Sequence, residues 1–567
     1  MVTGSPSASA DYLFYQEMDC KVYEYLGCQR VSDGFSFRIW LPNASRVCVV
    51  GDFYGWDEGI PMRYIAQAGI WECTVAPDGI RQGDKYKFKI THGDSTVYKA
   101  DMFAFASECP PNTASLVCDL DEYVWRDEGW IRHRRESGKK FYSLPLNIYE
   151  LDLATWRSRD DGGVMTYSEA ARELAPYVKQ MGYTHIQLLP IWRSHGDEVY
   201  ECSMFAPTAQ MGGHKDFMSF VDAMHEAGVG VLLDWSFSEL EYNGIHNALG
   251  QPVESEATAS YLVSNALFWV DKYHLDGLCV GDIGDLSQKQ WKDFVGLVAD
   301  TVKCQHPDVL MISRRELDGV DLCFDGEWVE KTFDRAVTDP FLREYSVDYS
   351  GRERKNLVLP VSYDELTGGK KTFLDKMSGD YWQKFAGTRT FFGYMMTFPG
   401  KKLTFMGSDI GQFKEWDGKN AVEWFLLDHD SHARLQRYIA DLGQLYLRTP
   451  ALWQQENVVE GISISSQGQT EQGVISYRRA DDDGDEVIVV INFTPVAYEN
   501  YELGVPCGGE YREIFNSDDV CYGGSGVVNS EDIVSESASE GSNKNSIVIK
   551  VPPLATSILR CVRRTQF

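Results

Sequence analysis

The sequence predicts a multidomain α/β plus β protein: a central (β/α)8 barrel of the TIM type, flanked by an N-terminal β-sandwich and a C-terminal antiparallel β domain. Three observations predict it. Short alternating segments separated by turn residues fill residues 20–120, apolar strands alternate with amphipathic helices over 145–453, and strand-like runs return over 454–567. At 567 residues the chain is too long for one ordinary domain and long enough to bury several cores.

Residues 1–19, which begin MVTGSPSASADYLFYQ, read as a polar tail. No basic segment leads into an apolar core there, so no signal peptide is expected. In residues 20–120, GFSFRIWLP, SRVCVVGDF and DKYKFKITHG alternate apolar and polar side chains, the period of a half-buried strand. Residues 121–144, with Trp125, Trp130 and the basic run WIRHRRESGKK, read as a connector. Beyond it, THIQLLP (184–190) and GVGVLLDW (228–235) are apolar runs suited to strands covered on both faces. YSEAARELAPYVKQMG (167–182) and HKDFMSFVDAMHEAG (214–228) instead space their apolar residues as helices do. Such βα repetition implies a parallel sheet with helices outside it, and a stretch of roughly 300 residues fits a closed barrel better than an open sheet. GVISYRRA, EVIVVINFTPV and SIVIKVPPLATSILR then supply antiparallel strands. The segment SEDIVSESASEGSNKNS (530–546) is polar, acidic and expected to be mobile.

The formal net charge of −30 excludes a sequence-independent grip on nucleic acid or on an anionic membrane surface, since both depend on Lys and Arg. Neutral partners fit better. An aromatic content of 13% suits a protein that stacks on sugar faces, and equally suits large packed cores. The 13 cysteines include no C-x-x-C pair, so neither a disulfide framework nor a zinc site is expected, and no cofactor. No apolar run has the length needed to cross a bilayer. A reducing, cytoplasmic setting follows as the expectation.

The segment KYHLDGLCVGDIGDL (272–286) reads as a chain entering a buried strand whose end carries Gly and Asp, where a barrel of this type keeps its catalytic groups. Cys279 and Gly281 stand where side-chain chemistry is expected. GDFYGWD (51–57), KYKFKI (85–90), KADMFAF (99–105), LNIYELDLATWR (146–157) and above all the run 359–417, LPVSYDELTGG to GQFKEWD, resemble the glycogen branching enzyme family of the alpha-amylase superfamily. The likeness continues through INFTPV and YGGSGV to PPLATSILR.

That resemblance implies a retaining glucosyl transfer, in which one carboxylate attacks the anomeric carbon and a second, protonated carboxyl serves the leaving oxygen. It also implies where those groups should stand. The attacking Asp follows an Arg by two positions, and DGLCVGD puts Cys279 at the Arg and Gly281 at the nucleophile. The acid opens a Glu-Glu pair after the next strand, where VLMISRREL puts Ser313, Arg314 and Arg315 in its Ala-Glu-Glu run. An Arg guanidinium stays protonated and cannot act as a general acid. Glu239 and Tyr363 replace two sugar-holding histidines, while Asp234 and Asp364 survive, the first architectural and the second a grip on sugar hydroxyls. An ungapped match puts Val199 at the stacking aromatic position, and a one-residue gap puts Tyr200 there. The loops between Trp235 and Lys272 and between Leu286 and Val309 are shorter than the family pattern.

Two relocated carboxylates come into question. Asp282 is one residue past Gly281, so strand alternation points it away from the bore, and Asp285 lies further out. Glu316, two residues past the expected acid, would need a bulged strand end. Trp56 reads either as a sugar platform or as a sandwich core residue. Cys279 reads as a buried filler in preference to a reactive thiol. Arg314 and Arg315 read as an internal salt-bridge network filling the old pocket, in preference to a grip on an anion such as a sugar phosphate with Glu239 and Asp364 as partners. The expected function is a non-catalytic one, binding an α-glucan such as glycogen or starch, or binding an active glucan-metabolising enzyme. The alternative is a working branching enzyme or an altered glycosyl transferase or hydrolase using Asp282 or Glu316.

Overall fold

The computed structural model describes residues 20–66, 69–137, 144–193, 203–237, 256–284, 286–329, 356–458, 461–464, 473–537 and 545–565. Val199, Tyr200, Glu239 and Asp285 lie outside the described residues, as does the tail 1–19.

The N-terminal module is built from β1 (Gly27–Val31), β2 (Gly34–Trp40), β3 (Arg46–Gly51), β4 (Gly55–Pro61), β5 (Arg63–Ile65), β6 (Ile70–Val75), β7 (Lys85–His92), β8 (Ser95–Lys99) and β9 (Ser115–Leu116). One sheet runs β1-β2-β6-β5; the other runs β4-β3-β7-β8, with β9 on β7. Alternation along KYKFKI buries Tyr86 and Phe88 in a core with Phe37, Val47 and Val49, and leaves Lys85, Lys87 and Lys89 for the other face.

Eight strands, β10 (Asn147–Leu151), β11 (His185–Leu188), β12 (Gly230–Phe237), β13 (Gly277–Ile283), β14 (Leu310–Ser313), β15 (Leu322–Phe324), β16 (Leu357–Val361) and β17 (Lys401–Phe405), close into a barrel in chain order. Their apolar runs match burial on both faces; every residue of β10 and of β17 is buried. Amphipathic helices Tyr167–Met181 and His214–Glu226 lie where the sequence spacing predicts them. The C-terminal domain holds β18 (Ile462–Ile464), β19 (Val474–Ala480), β20 (Glu486–Asn492), β21 (Tyr498–Val505), β22 (Gly509–Asn516), β23 (Ile533–Val534), β24 (Glu536–Ser537), β25 (Asn545–Val551) and β26 (Ala555–Arg564). They form sheets β18-β19-β20-β26-β22-β23 and β21-β25-β24. The segment expected to be mobile therefore contributes β23 and β24, which pair with β22 and β25; residues 538–544 lie outside the described residues.

The chain divides into two compact units, residues 1–138, 152–175 and 188–320 in one and 139–151, 176–187 and 321–567 in the other. Among the described residues no helix is long and apolar enough to cross a membrane, and no cluster of three metal-ligating side chains occurs.

Within the first unit, the segment read as a connector forms the helix Glu128–Ser137 and clamps the amino ends of three barrel strands. Arg134 reaches Asp276, just before β13, and Asp308, two residues before β14, each at 2.8 Å. Asp276 also accepts from the Trp130 indole at 2.8 Å and from the Val231 amide of β12 at 2.6 Å. His225 lies between Asp127 (2.9 Å) and Asp276 (3.0 Å), with Trp130 stacked on its ring. Arg134 of the basic segment is thus a counter-ion for two carboxylates at the strand starts. Its sequence signal was ambiguous because the partners sit some 90 to 170 positions away.

Burial pulls the His225 imidazole down, but Asp276 and Asp127 outweigh it and lift it to about 9. A histidine raised above its ordinary 6.5 contributes stability that is complete below that value and is lost as pH climbs through about 9. We expect the unfolding free energy to fall by on the order of 2–3 kcal/mol across that window. Urea titrations at pH 6 and pH 9.5 check this, and the fall should largely disappear in His225→Gln.

Candidate functional site

The residues that carry the sequence argument sit at the carboxyl ends of β12, β13 and β14. In register, Asp234 of β12 lies opposite Cys279 of β13, and Cys279 lies opposite Ile312 of β14. Paired positions share a face, and alternation then puts Gly281 and Arg314 on that same face, with Val280 and Asp282 on the reverse. Asp234 and Cys279 are both fully buried, so Cys279 is a packed filler and not a thiol at a site mouth.

Arg314 Nη2 donates to Asp234 Oδ2 at 2.8 Å, with side-chain exposures of 9% and 0%. The arginine reaches its partner by passing over Gly281. A Cβ built on Gly281 would stand 3.1 Å from Arg314 Cδ and 2.8 Å from Ser236 Cβ. Gly281 does not have the positive φ that favours glycine, so its backbone would accept any residue. A side chain there would make Ser236 and the stem of Arg314 shift. A register shift in β12 between Trp235 and Phe237 accompanies the close approach of Ser236.

On the reverse face, Asp282 is exposed and pairs with Arg315, whose guanidinium lies 5.2 Å from the centre of the Trp291 ring. The Trp291 indole donates to the Gly281 carbonyl at 2.9 Å. Asp282 therefore turns outward, as alternation predicts. Glu316 is exposed and lies beyond the end of β14. The partners of Arg314 and Arg315 include Asp234 and Asp282, carboxylates the sequence reading had assigned to other roles.

In the second unit, β16 ends in Ser362, Tyr363 and Asp364. The Tyr363 ring packs 6.1 Å from Phe405 and 6.2 Å from Trp416, which line a small open cleft with Leu366, Phe373, Gly407 and Lys414. Asp364 is exposed on the short helix Tyr363–Leu366. The sequence reading passed over Glu150. This carboxylate, fully buried in β10, accepts from Gln187 Nε2 (3.0 Å), Ser362 Oγ (2.8 Å) and the Tyr363 amide (2.9 Å). Its signal was a lone Glu inside the apolar run NIYEL, and a buried carboxylate so fully engaged ties strands together.

Trp56 is not a core residue. Its ring is 38% exposed and its indole donates to Asp52 Oδ1 at 3.1 Å, and Tyr54 (58%) and Tyr98 (44%) are exposed in the same module. Lys89 Nζ donates to the Asp57 carbonyl at 2.5 Å and lies 5.6 Å from the centre of the Tyr98 ring.

Residues 25–104 match the model of carbohydrate-binding module 48 (isoamylase N-terminal domain), and residues 464–562 match that of the alpha amylase C-terminal all-beta domain. The chain is 36% identical to the 1,4-alpha-glucan branching enzyme GlgB of Halothermothrix orenii, over 96% of this chain and 97% of that protein. It is 35% identical to the enzyme of the same name from Nitrosomonas europaea, over 97% of this chain and 84% of that one. The chain belongs to the 1,4-alpha-glucan branching enzyme family.

Solved structures similar in fold include a pullulanase from Anoxybacillus sp. LM18-11 complexed with maltotriose (TM-score 0.73, 14% identity, 98% of this chain and 87% of that one). Pullulanase type I from Bacillus subtilis str. 168 complexed with maltose gives a TM-score of 0.70 at 18% identity, again over 98% and 87%. The alignment with the Halothermothrix branching enzyme runs over 620 positions, more than this chain's own length, so part of that relative has no counterpart here.

Within this branching enzyme framework, Gly281 and Arg314 should behave as one unit. Removing a single partner of a buried ion pair costs about 3–5 kcal/mol, and adding a methyl to a filled site about 1–3 kcal/mol. We expect Arg314→Ala and Gly281→Ala each to destabilise by these amounts. The cost of Gly281→Ala should be smaller when Arg314 is already Ala, and a double-mutant cycle in urea measures that coupling.

Proposed function

We propose that this member of the branching enzyme family binds α-glucan without transferring glucosyl groups through its barrel. One observation carries the reading: the space that a side chain at position 281 would need is occupied by Ser236 Cβ and the stem of Arg314, which donates to Asp234. The resemblance puts the attacking carboxylate at 281 and the acid at 314. A glycine has no atom to form the glucosyl ester, and a guanidinium has no proton to give at usable pH. In the best-measured hydrolases, loss of one member of a catalytic unit costs about 10⁴- to 10⁶-fold in rate. Asp282 is turned outward onto Arg315, which argues against relocated chemistry through it.

Glucan binding is assigned to the N-terminal module. Trp56, Tyr54 and Tyr98 offer flat apolar faces to solvent, and such faces beside polar groups suit the two sides of a glucose ring. The proposed setting is glycogen or starch metabolism in the cytoplasm, with an active enzyme of the same pathway as the second partner.

A working transferase is the second reading, favoured by the full-length likeness to proteins named branching enzymes. Incubation with amylose separates the two. We expect no change in iodine absorbance and no new branch linkages at protein concentrations far above those used for an active relative; a fall in absorbance accompanied by branch formation would overturn the proposal. In native gels containing glycogen the chain should be retarded, and Trp56→Ala should reduce that retardation severalfold. Unchanged retardation would move the binding face out of this module.

A further inference from the structure

We propose that Cys507 and Cys561 of the C-terminal domain are a reversible disulfide pair, closed by a low-molecular-weight disulfide such as oxidised glutathione and reopened by the corresponding thiol. Their sulfurs lie 3.9 Å apart. Several features of the sheet bring them there. Cys561 of β26 is the register partner of Tyr511 of β22, and a register shift between Glu510 and Tyr511 marks a bulge at that point. Cys507 sits on the turn between β21 and β22. The Tyr511 hydroxyl donates to the Cys507 carbonyl at 2.9 Å and lies 3.3 Å from its sulfur, which holds the turn against the strand.

Gly509 completes the arrangement by what it lacks. A Cβ there would stand 3.1 Å from Cys561 Sγ and 2.2 Å from the Arg563 carbonyl, so only glycine leaves the sulfur its present place. Both cysteines are part-exposed at the edge of the domain core, within reach of a small reagent. Closing from 3.9 Å to a bond length of about 2.05 Å asks for side-chain rotation.

The chemistry balances without any group from the barrel. The Cys507 thiolate attacks one sulfur of oxidised glutathione, the glutathione S–S bond breaks, and one glutathione leaves as its thiol with the proton. The Cys561 thiolate then attacks Cys507 Sγ and displaces the second glutathione. Two protein thiols are oxidised and one small disulfide is reduced to two thiols. Burial and the neighbouring Cys507 push the Cys561 thiol up, so the second displacement should quicken as pH rises.

The test uses the full chain in glutathione redox buffers, quenched with acid and alkylated, with peptide mapping by mass spectrometry. The expected result is a single cross-linked peptide pair holding Cys507 and Cys561, lighter than the two free peptides by two hydrogens. Excess dithiothreitol should reverse it, and Cys507→Ser and Cys561→Ser should each abolish it. The exposed Cys109 and Cys304 are internal controls that should carry glutathione as mixed disulfides. Thermal unfolding should shift upward on oxidation and return on reduction in the parent chain only. Recovery of Cys507 and Cys561 as alkylated thiols, or as glutathione adducts with no cross-link, would overturn the proposal.

Discussion

Asp234 is sealed from water at the end of a barrel strand, and a carboxylate in that position needs a cation beside it. The residue in register with it is Cys279, which offers no cation. The charge is instead met from one strand further along, by Arg314, whose stem has to cross the position of Gly281. The glycine, the arginine and the buried thiol are therefore parts of one arrangement. An arginine at 279 would neutralise Asp234 from the adjacent strand, and a side chain at 281 would then have room only if Arg314 were absent and Ser236 stood further off.

Much of the architecture was legible in the residues. Period-two alternation marked the sandwich, apolar runs marked β11 and β12, and helical spacing placed the helices Tyr167–Met181 and His214–Glu226 close to their observed limits. The outward turn of Asp282 also followed from alternation alone. Glu150, the Arg314–Asp234 pair and the His225 cluster were not legible, and the reason is common to them. Each depends on which strand ends adjoin in space, so the partners are separated by tens to hundreds of positions. Residue type told that these positions were unusual; only register told what they had become. Trp56 illustrates the opposite limit, since a tryptophan in a strand turn carries no mark of whether its ring faces core or water until the sheet is built.

The two ends of the β12–β14 segment rest on the same device used differently. At the amino ends, Arg134 and His225 gather Asp127, Asp276 and Asp308 into a shared network in which Asp127 and Asp276 each accept from more than one donor. Such a network spreads the desolvation cost and fixes the three strand starts relative to the helix Glu128–Ser137. At the carboxyl ends Arg314 supplies a guanidinium to Asp234.

The missing Cβ at position 281 has a bearing on how such a sequence can change over generations. A carboxylate there needs both Ser236 and the stem of Arg314 to give way, and shortening residue 314 removes the guanidinium that Asp234 accepts from. Single exchanges in either order pass through a less stable intermediate. The barrel mouth thus works as a ratchet: this corner is held in place by its own geometry whether or not any substrate depends on it.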